Sequence, residues 1–249
     1  MEEFTSEGVR IAFERQGEGP PVLLIHGFGS NGRVNWRETG WVRALTEAGH
    51  EVILMDNRGH GASDKLYEPA LYGAATMAED AANLLTHLAI PVADVMGYSM
   101  GARISAFLAM NHPGRIRRLV LAGLAANMVH GIAGAEDIAR ALELESAEGL
   151  PPGQPRDFRI FAEQTKSDRR ALAACMRNSR QKISAAELSH IACPTLVVAG
   201  ELDDIAGPLE PLMHALPNAQ ALLLPGRNHM NAVGDRDYKK AVVEFLSGR

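Results

Sequence analysis

In the stretch Val92-Ala93-Asp94-Val95-Met96-Gly97-Tyr98-Ser99-Met100-Gly101-Ala102, an apolar strand run meets a helical pattern across the five residues Gly97–Gly101. G-x-S-x-G in a strand–turn–helix setting is the spacing of a nucleophile elbow. A serine on so tight a turn takes strained backbone angles. Only small residues two positions to either side let the strand and helix pack that closely. The turn lifts Ser99 Oγ clear of the sheet. It also puts the next backbone N–H, that of Met100, at a helix N-terminus, where it can stabilise an oxyanion.

Outward from this turn, the same kind of run recurs at Pro21–Ile25, Glu51–Met55, Arg118–Ala122, Thr195–Ala199 and Ala219–Leu224, with an alternating strand pattern at Val9–Gln16. Continuous apolar runs of this length suit strands buried on both faces of a parallel sheet. Helical patterns at Trp41–Ala48, Ala75–Leu88, Ala102–Met110 and Tyr238–Leu246 separate them. Alternating strand and helix gives right-handed crossovers and a doubly wound α/β sheet. The rhythm breaks between about Asn127 and His190, where only two polar, helix-prone stretches occur, Ala135–Ser146 and Phe158–Gln181. A crossover needs a dozen or so residues. The chain therefore divides into a core of 1–126 with 191–249, and an inserted helical segment, 127–190.

Composition narrows the function classes. The 249 residues are 46% hydrophobic and 22% charged, with a net charge of -5, which speaks against a broad nucleic-acid surface. The local cluster Arg115-Ile116-Arg117-Arg118 reads as the exposed start of a strand. The N-terminal Met1-Glu2-Glu3-Phe4-Thr5 has no apolar signal core, and no run approaches the roughly 20 apolar residues of a membrane span. Cys175 and Cys193 lack the spacing of a metal site. A cytoplasmic protein without membrane partner or metal is expected.

Three further motifs carry chemistry. His26-Gly27-Phe28-Gly29 directly follows a strand run, and the Phe28 backbone N–H is the candidate second oxyanion donor. Gly27-Phe28-Gly29-Ser30-Asn31-Gly32 also matches a dinucleotide fingerprint, with Asp56 placed as its ribose-binding acid. Against that reading, Asn31–Trp36 is polar with no helix opening at once, and Asp56 leads into a turn, Asn57-Arg58-Gly59-His60-Gly61. Finally, Gly200-Glu201-Leu202-Asp203-Asp204 and Pro225-Gly226-Arg227-Asn228-His229 each follow a strand run. Both loops deliver polar groups to the strand ends where open α/β sheets build sites. A serine hydroxyl is a weak nucleophile. An imidazole, His229, must take its proton, and a carboxylate must hold the tautomer. Glu201, Asp203 and Asp204 are the acids on offer.

These motifs together resemble the α/β-hydrolase family, within its esterase, perhydrolase and enol-lactonase-like group, across nearly the whole chain except the insertion. The resemblance implies a mostly parallel sheet of about eight strands flanked by helices, with 127–190 as a helical cap over the site. It implies that the Arg58–Ser63 turn is structural. It selects Asp203 as the acid, three positions after the strand-ending glycine, and leaves Asp204 as a helix-end carboxylate before Ile205-Ala206-Gly207-Pro208. Ser99 in place of an aspartate separates the chain from dehalogenases and epoxide hydrolases. The expected activity is hydrolysis of a small carboxylic ester or lactone through an acyl-enzyme, with catalytic residues Ser99, Asp203 and His229 and no cofactor. The alternatives on the same residues are C–C bond hydrolysis and cofactor-free perhydrolysis, or a non-catalytic receptor. Within the cap, Met128, Phe158, Phe161 and Met176 read as cap core ahead of pocket lining.

Overall fold

In the computed structural model, which describes residues 1–248, eight segments are strands: β1 (Glu2–Ser6), β2 (Val9–Gln16), β3 (Pro21–Ile25), β4 (Glu51–Met55), β5 (Ala93–Tyr98), β6 (Ile116–Ala122), β7 (Thr195–Gly200) and β8 (Ala219–Leu224). They form one sheet in the order β1-β2-β4-β3-β5-β6-β7-β8. β1 and β2 pair antiparallel with each other and β2 with β4, and every other pairing is parallel. The central apolar runs are continuous because β3 to β7 feed two cores, whereas Ala219–Leu224, expected to be buried on both faces, is the edge strand β8 and leaves Gln220, Ala221 and Leu223 exposed. Leu23, Ile25, Ile53, Val95, Leu119 and Val197 point to one side, while Val22, Leu24, Val52, Met96, Val120 and Val198 point to the other.

The first face is covered by α2 (Ala74–His87) and α3 (Met100–Asn111), the second by α1 (Trp41–Glu47) and α11 (Arg236–Leu246). Between β6 and β7 lie α4 (Ala126–His130), α5 (Ala135–Glu143), α6 (Gln154–Gln164), α7 (Arg169–Asn178) and α8 (Ala185–Leu188). The chain then adds α9 (Glu210–Ala215) and α10 (His229–Ala232). No described helix is long and apolar enough to cross a membrane.

Several sequence expectations need correction. The stretch Phe158–Gln181 is two helices, broken at Lys166 with φ 53°. The Asp168 side chain then starts α7 by accepting from Arg170 N and Ala171 N, the ordinary N-cap geometry. Asn31–Trp36, expected without a helix, runs into a short helical turn, Arg33–Arg37, that buries Trp36. β1 went unread, and it adds an edge strand whose Phe4 packs edge-on against Phe13 at 6.1 Å. The arginine cluster does open β6, where Arg117 pairs with the buried Asp94.

Candidate active site

The strand-to-helix turn between β5 and α3 leaves no room for a side chain at either glycine. A Cβ on Gly97 would lie 2.2 Å from Gly101 O, and one on Gly101 only 2.0 Å from Ile25 O. Ser99, between them, has φ 56° and ψ -115°, a region that costs a non-glycine residue of order 1–3 kcal/mol. The strain is held by Ser99 N donating to Ala122 O at 2.7 Å.

Ser99 Oγ lies 3.0 Å from His229 Nε2. The Nδ1 of the same ring lies 3.0 and 2.9 Å from the two carboxylate oxygens of Asp203. A carboxylate can only accept, so Nδ1 carries the proton and Nε2 is free to accept from the serine hydroxyl. Asp203 and His229 are 5% and 8% exposed, which shields this chain of hydrogen bonds from water.

The loops that carry the two side chains are braced. Leu202 N donates to Arg227 O at 2.8 Å, and Gly226 N donates to Glu201 Oε2. Gly200 must lack a side chain, because a Cβ there would meet Arg227 O at 2.2 Å. Asn228 caps the short α10, accepting from Met230 N and Asn231 N. Beneath the ring, the Tyr98 hydroxyl donates to His229 O at 2.6 Å. Burial pushes the Tyr98 phenol well above its ordinary value, so it remains a donor.

The acidic loop departs from expectation in one respect. Asp203 itself accepts from Ile205 N and Ala206 N, at 3.1 and 2.9 Å, taking the helix-end role expected of Asp204. Asp204 is exposed, and the next helix, α9, begins only at Glu210.

Phe28 and Met100 both line a narrow cavity of about 30 Å³ that opens onto Ser99. Neither amide donates to a protein acceptor among the described residues, so both N–H groups are available to a ligand oxygen. The insertion supplies much of the wall: Ile132, Phe158, Met176 and Arg180. Phe158 and Met176, expected mainly as cap core, are therefore lining residues. Met128 stays buried, and Phe161 packs over Gly29. Sequence reasoning also missed Arg103 and Tyr98. The first was legible, since residues four apart share a helix face and Arg103 follows Ser99 by four.

A larger cavity, about 180 Å³, borders Asn31, Gly32, Leu54 and Asp56, on the loop matching the dinucleotide fingerprint. The Asp56 oxygens already accept from Gly32 N at 2.7 Å and Ala62 N at 2.8 Å. With its acid committed to bracing two loops, this cavity has no nucleophile–base pair, and the smaller one does. Arg58, in the neighbouring turn, is locked to Asp80 through two 2.7 Å contacts. Among the described residues, no three of His, Cys, Asp and Glu are grouped to hold a metal ion.

Residues 20–153 match the family model described as the alpha/beta hydrolase fold. The chain is 30% identical to a 2-(acetamidomethylene)succinate hydrolase of Mesorhizobium japonicum, over 96% of this chain and 92% of that protein. It is 26% identical to a non-heme chloroperoxidase of Kitasatospora aureofaciens, over 98% of each. The crystal structure of an enol-lactonase from Burkholderia xenovorans superposes with a TM-score of 0.84 at 24% identity, covering 99% of this chain and 100% of that one.

Proposed function

Because this chain belongs to the α/β-hydrolase family and is a hydrolase, we propose that it cleaves a small carboxylic ester or lactone through an acyl-enzyme on Ser99. The observation that carries the reading is the continuous contact from Ser99 Oγ to His229 Nε2, and from Nδ1 to Asp203. Ser99 Oγ attacks the carbonyl carbon as His229 Nε2 takes its proton. The Phe28 and Met100 amides receive the oxyanion. The C–O bond then breaks, and the leaving alkoxide takes the proton from His229. A water molecule, deprotonated by the same ring, attacks the acyl carbon and releases the acid and Ser99. Asp203 holds the ring and stabilises the imidazolium. Residues 127–190 act as the cap, a role supported by the lining residues they contribute.

The likeness to a chloroperoxidase favours one second reading, in which hydrogen peroxide replaces water as acceptor of the acyl group. A fluorophosphonate probe tests both, since both require the nucleophile. It should label the wild type and not Ser99→Ala, and labelling that survives the substitution overturns the assignment. Product analysis with and without peroxide then separates acid from peracid.

A further inference from the structure

The walls around Ser99 hold two guanidinium groups and no carboxylate. Arg103, on α3, is 2% exposed. Its guanidinium donates only to backbone carbonyls, those of Asn127, Met128 and Gln181. Arg180, just past α7, donates to Ala133 O at 2.9 Å, and its guanidinium carbon sits 6.0 Å from the centre of the Phe158 ring. Both line the cavity with Ser99, and the rest of the lining is mostly apolar, including Phe28, Leu124 and Met176.

Among the buried arginines of the described residues, Arg58, Arg103 and Arg159, Arg103 is the exception. Arg58, buried under the second turn, faces Asp80 at 2.7 Å. Arg159, 1% exposed in side chain, faces Glu163 at 2.8 Å. Those buried cations are neutralised by the fold itself, as the cost of desolvating a charge requires. Arg103 and Arg180 have no acidic partner among the described residues. Burial, joined for Arg103 by the like charge of Arg180, pushes both guanidinium groups down to about 10. A site that keeps two unneutralised cations beside a nucleophile is arranged to receive a negative charge from the ligand.

Building on the acyl-transfer reading above, we propose that Arg103 and Arg180 form a carboxylate subsite, so that the substrate is a short acyl compound carrying a free carboxylate near its scissile carbonyl. Arg180 makes the contact, because its remaining N–H donors are uncommitted. Arg103, tied to three carbonyls, reinforces the positive potential from behind. The narrow volume favours a planar carboxylate on a short chain over a phosphate. The apolar residues that share the cavity's lining with the arginines and Ser99 suit the intervening methylenes.

The test compares phenyl hydrogen glutarate with phenyl valerate, which differ by the terminal carboxylate and are otherwise close in shape. Wild type should prefer the anionic ester in kcat/KM, and Arg180→Gln should shrink that preference by about 10- to 100-fold, the usual weight of a charge-assisted hydrogen bond. Most of the loss should fall on KM, and Arg180→Lys should restore part of it. Glutarate alone should bind wild type in a calorimetric titration and not Arg180→Gln. Arg180 is the site of choice because Arg103 also braces the loops, and the folding of each variant is checked by its melting temperature. An unchanged ester preference together with glutarate binding that ignores Arg180 overturns the subsite. Fluorophosphonate labelling of Ser99 in both proteins keeps the two ideas apart. If Ser99 is unlabelled, the acyl-transfer reading fails, and the glutarate titration still decides the subsite.

Discussion

Asp203 serves two neighbours with one carboxylate: it faces His229 Nδ1 and accepts from the Ile205 and Ala206 amides. Asp203→Asn should therefore lower kcat by on the order of 10⁴, as the ring loses its partner and tautomer. It should also lower stability by about 1 kcal/mol as the loop amides lose a charged acceptor. Asp204→Asn should leave both kcat and melting temperature close to wild type, since that side chain is exposed and makes no hydrogen bond or ion pair among the described residues. Equal kcat in the two variants would mean another group orients His229. At Gly101 the expected effect is steric. Gly101→Ala forces a methyl to within 2.0 Å of Ile25 O, so the elbow must open and Ser99 must leave its place. A loss of at least 1–3 kcal/mol is expected, by analogy with overpacked cores, together with loss of fluorophosphonate labelling. A variant that labels at the wild-type rate would show that the turn can yield.

At the scale of elements, the loop bearing His229 is held by the reciprocal cap between Asn228 and Asn231. Asn228→Ala should cost about 1 kcal/mol of stability and lower kcat more than KM, as His229 gains freedom relative to Ser99. A kcat matching wild type would assign the positioning to the Tyr98 hydroxyl instead. The parts of the fold legible in the sequence were those where one physical demand dominates a segment. Val22–Ile25 and Val52–Met55 are apolar throughout because both faces are buried, and the strands keep the expected bounds, Pro21–Ile25 and Glu51–Met55. Glu2–Ser6 escaped notice because an edge strand buries only one face, leaving Glu2, Glu3 and Thr5 exposed. The break between α6 and α7 left no glycine or proline. Its signal was Ser167-Asp168, a cap inside what reads as a continuous polar helix. Ser99 and His229 stood out because each lies in a loop just after a strand run, whereas Glu201, Asp203 and Asp204 share one loop and only the family resemblance singled out Asp203. Arg180 could not be read, since a segment without strands offers no register to say which residue faces the site.

For the whole molecule, the buried charges and the buried histidines give stability a distinctive dependence on pH. His26 and His60 are fully buried, with ring centres 5.2 Å apart. His26 Nδ1 donates to Gly27 O at 2.8 Å, and its Nε2 accepts from Asn57 N at 3.0 Å. A proton on Nε2 would therefore break a backbone hydrogen bond. His60 Nδ1 donates to Arg58 O at 3.0 Å, and its Nε2 is buried with no partner. Burial holds His26 down to about 4. Burial, and then the neighbouring His26, hold His60 down to about 3, against an ordinary 6.5. The unfolded chain thus binds more protons than the folded one once pH falls below about 6.5, so the full stability contribution is present above that value. It is lost progressively toward pH 4, by up to about 2.7 kcal/mol per pH unit when both rings are protonated only in the unfolded chain. The carboxylates act in a lower window. Glu136 and Glu143, held below 4.5 by hydrogen bonds from Arg177, contribute above that value and are lost as pH falls beneath it. The interval from pH 6.5 to 4.5 is therefore set mainly by the two rings. Urea unfolding at pH 7, 5.5 and 4.5 should give a falling free energy across that interval. His60→Gln, though less stable at pH 7, should show about half the slope, because one titrating group is gone. A slope unchanged by that substitution would place the acid sensitivity elsewhere. A wild-type stability flat down to pH 4.5 would mean that the rings accept protons in the folded state at little cost.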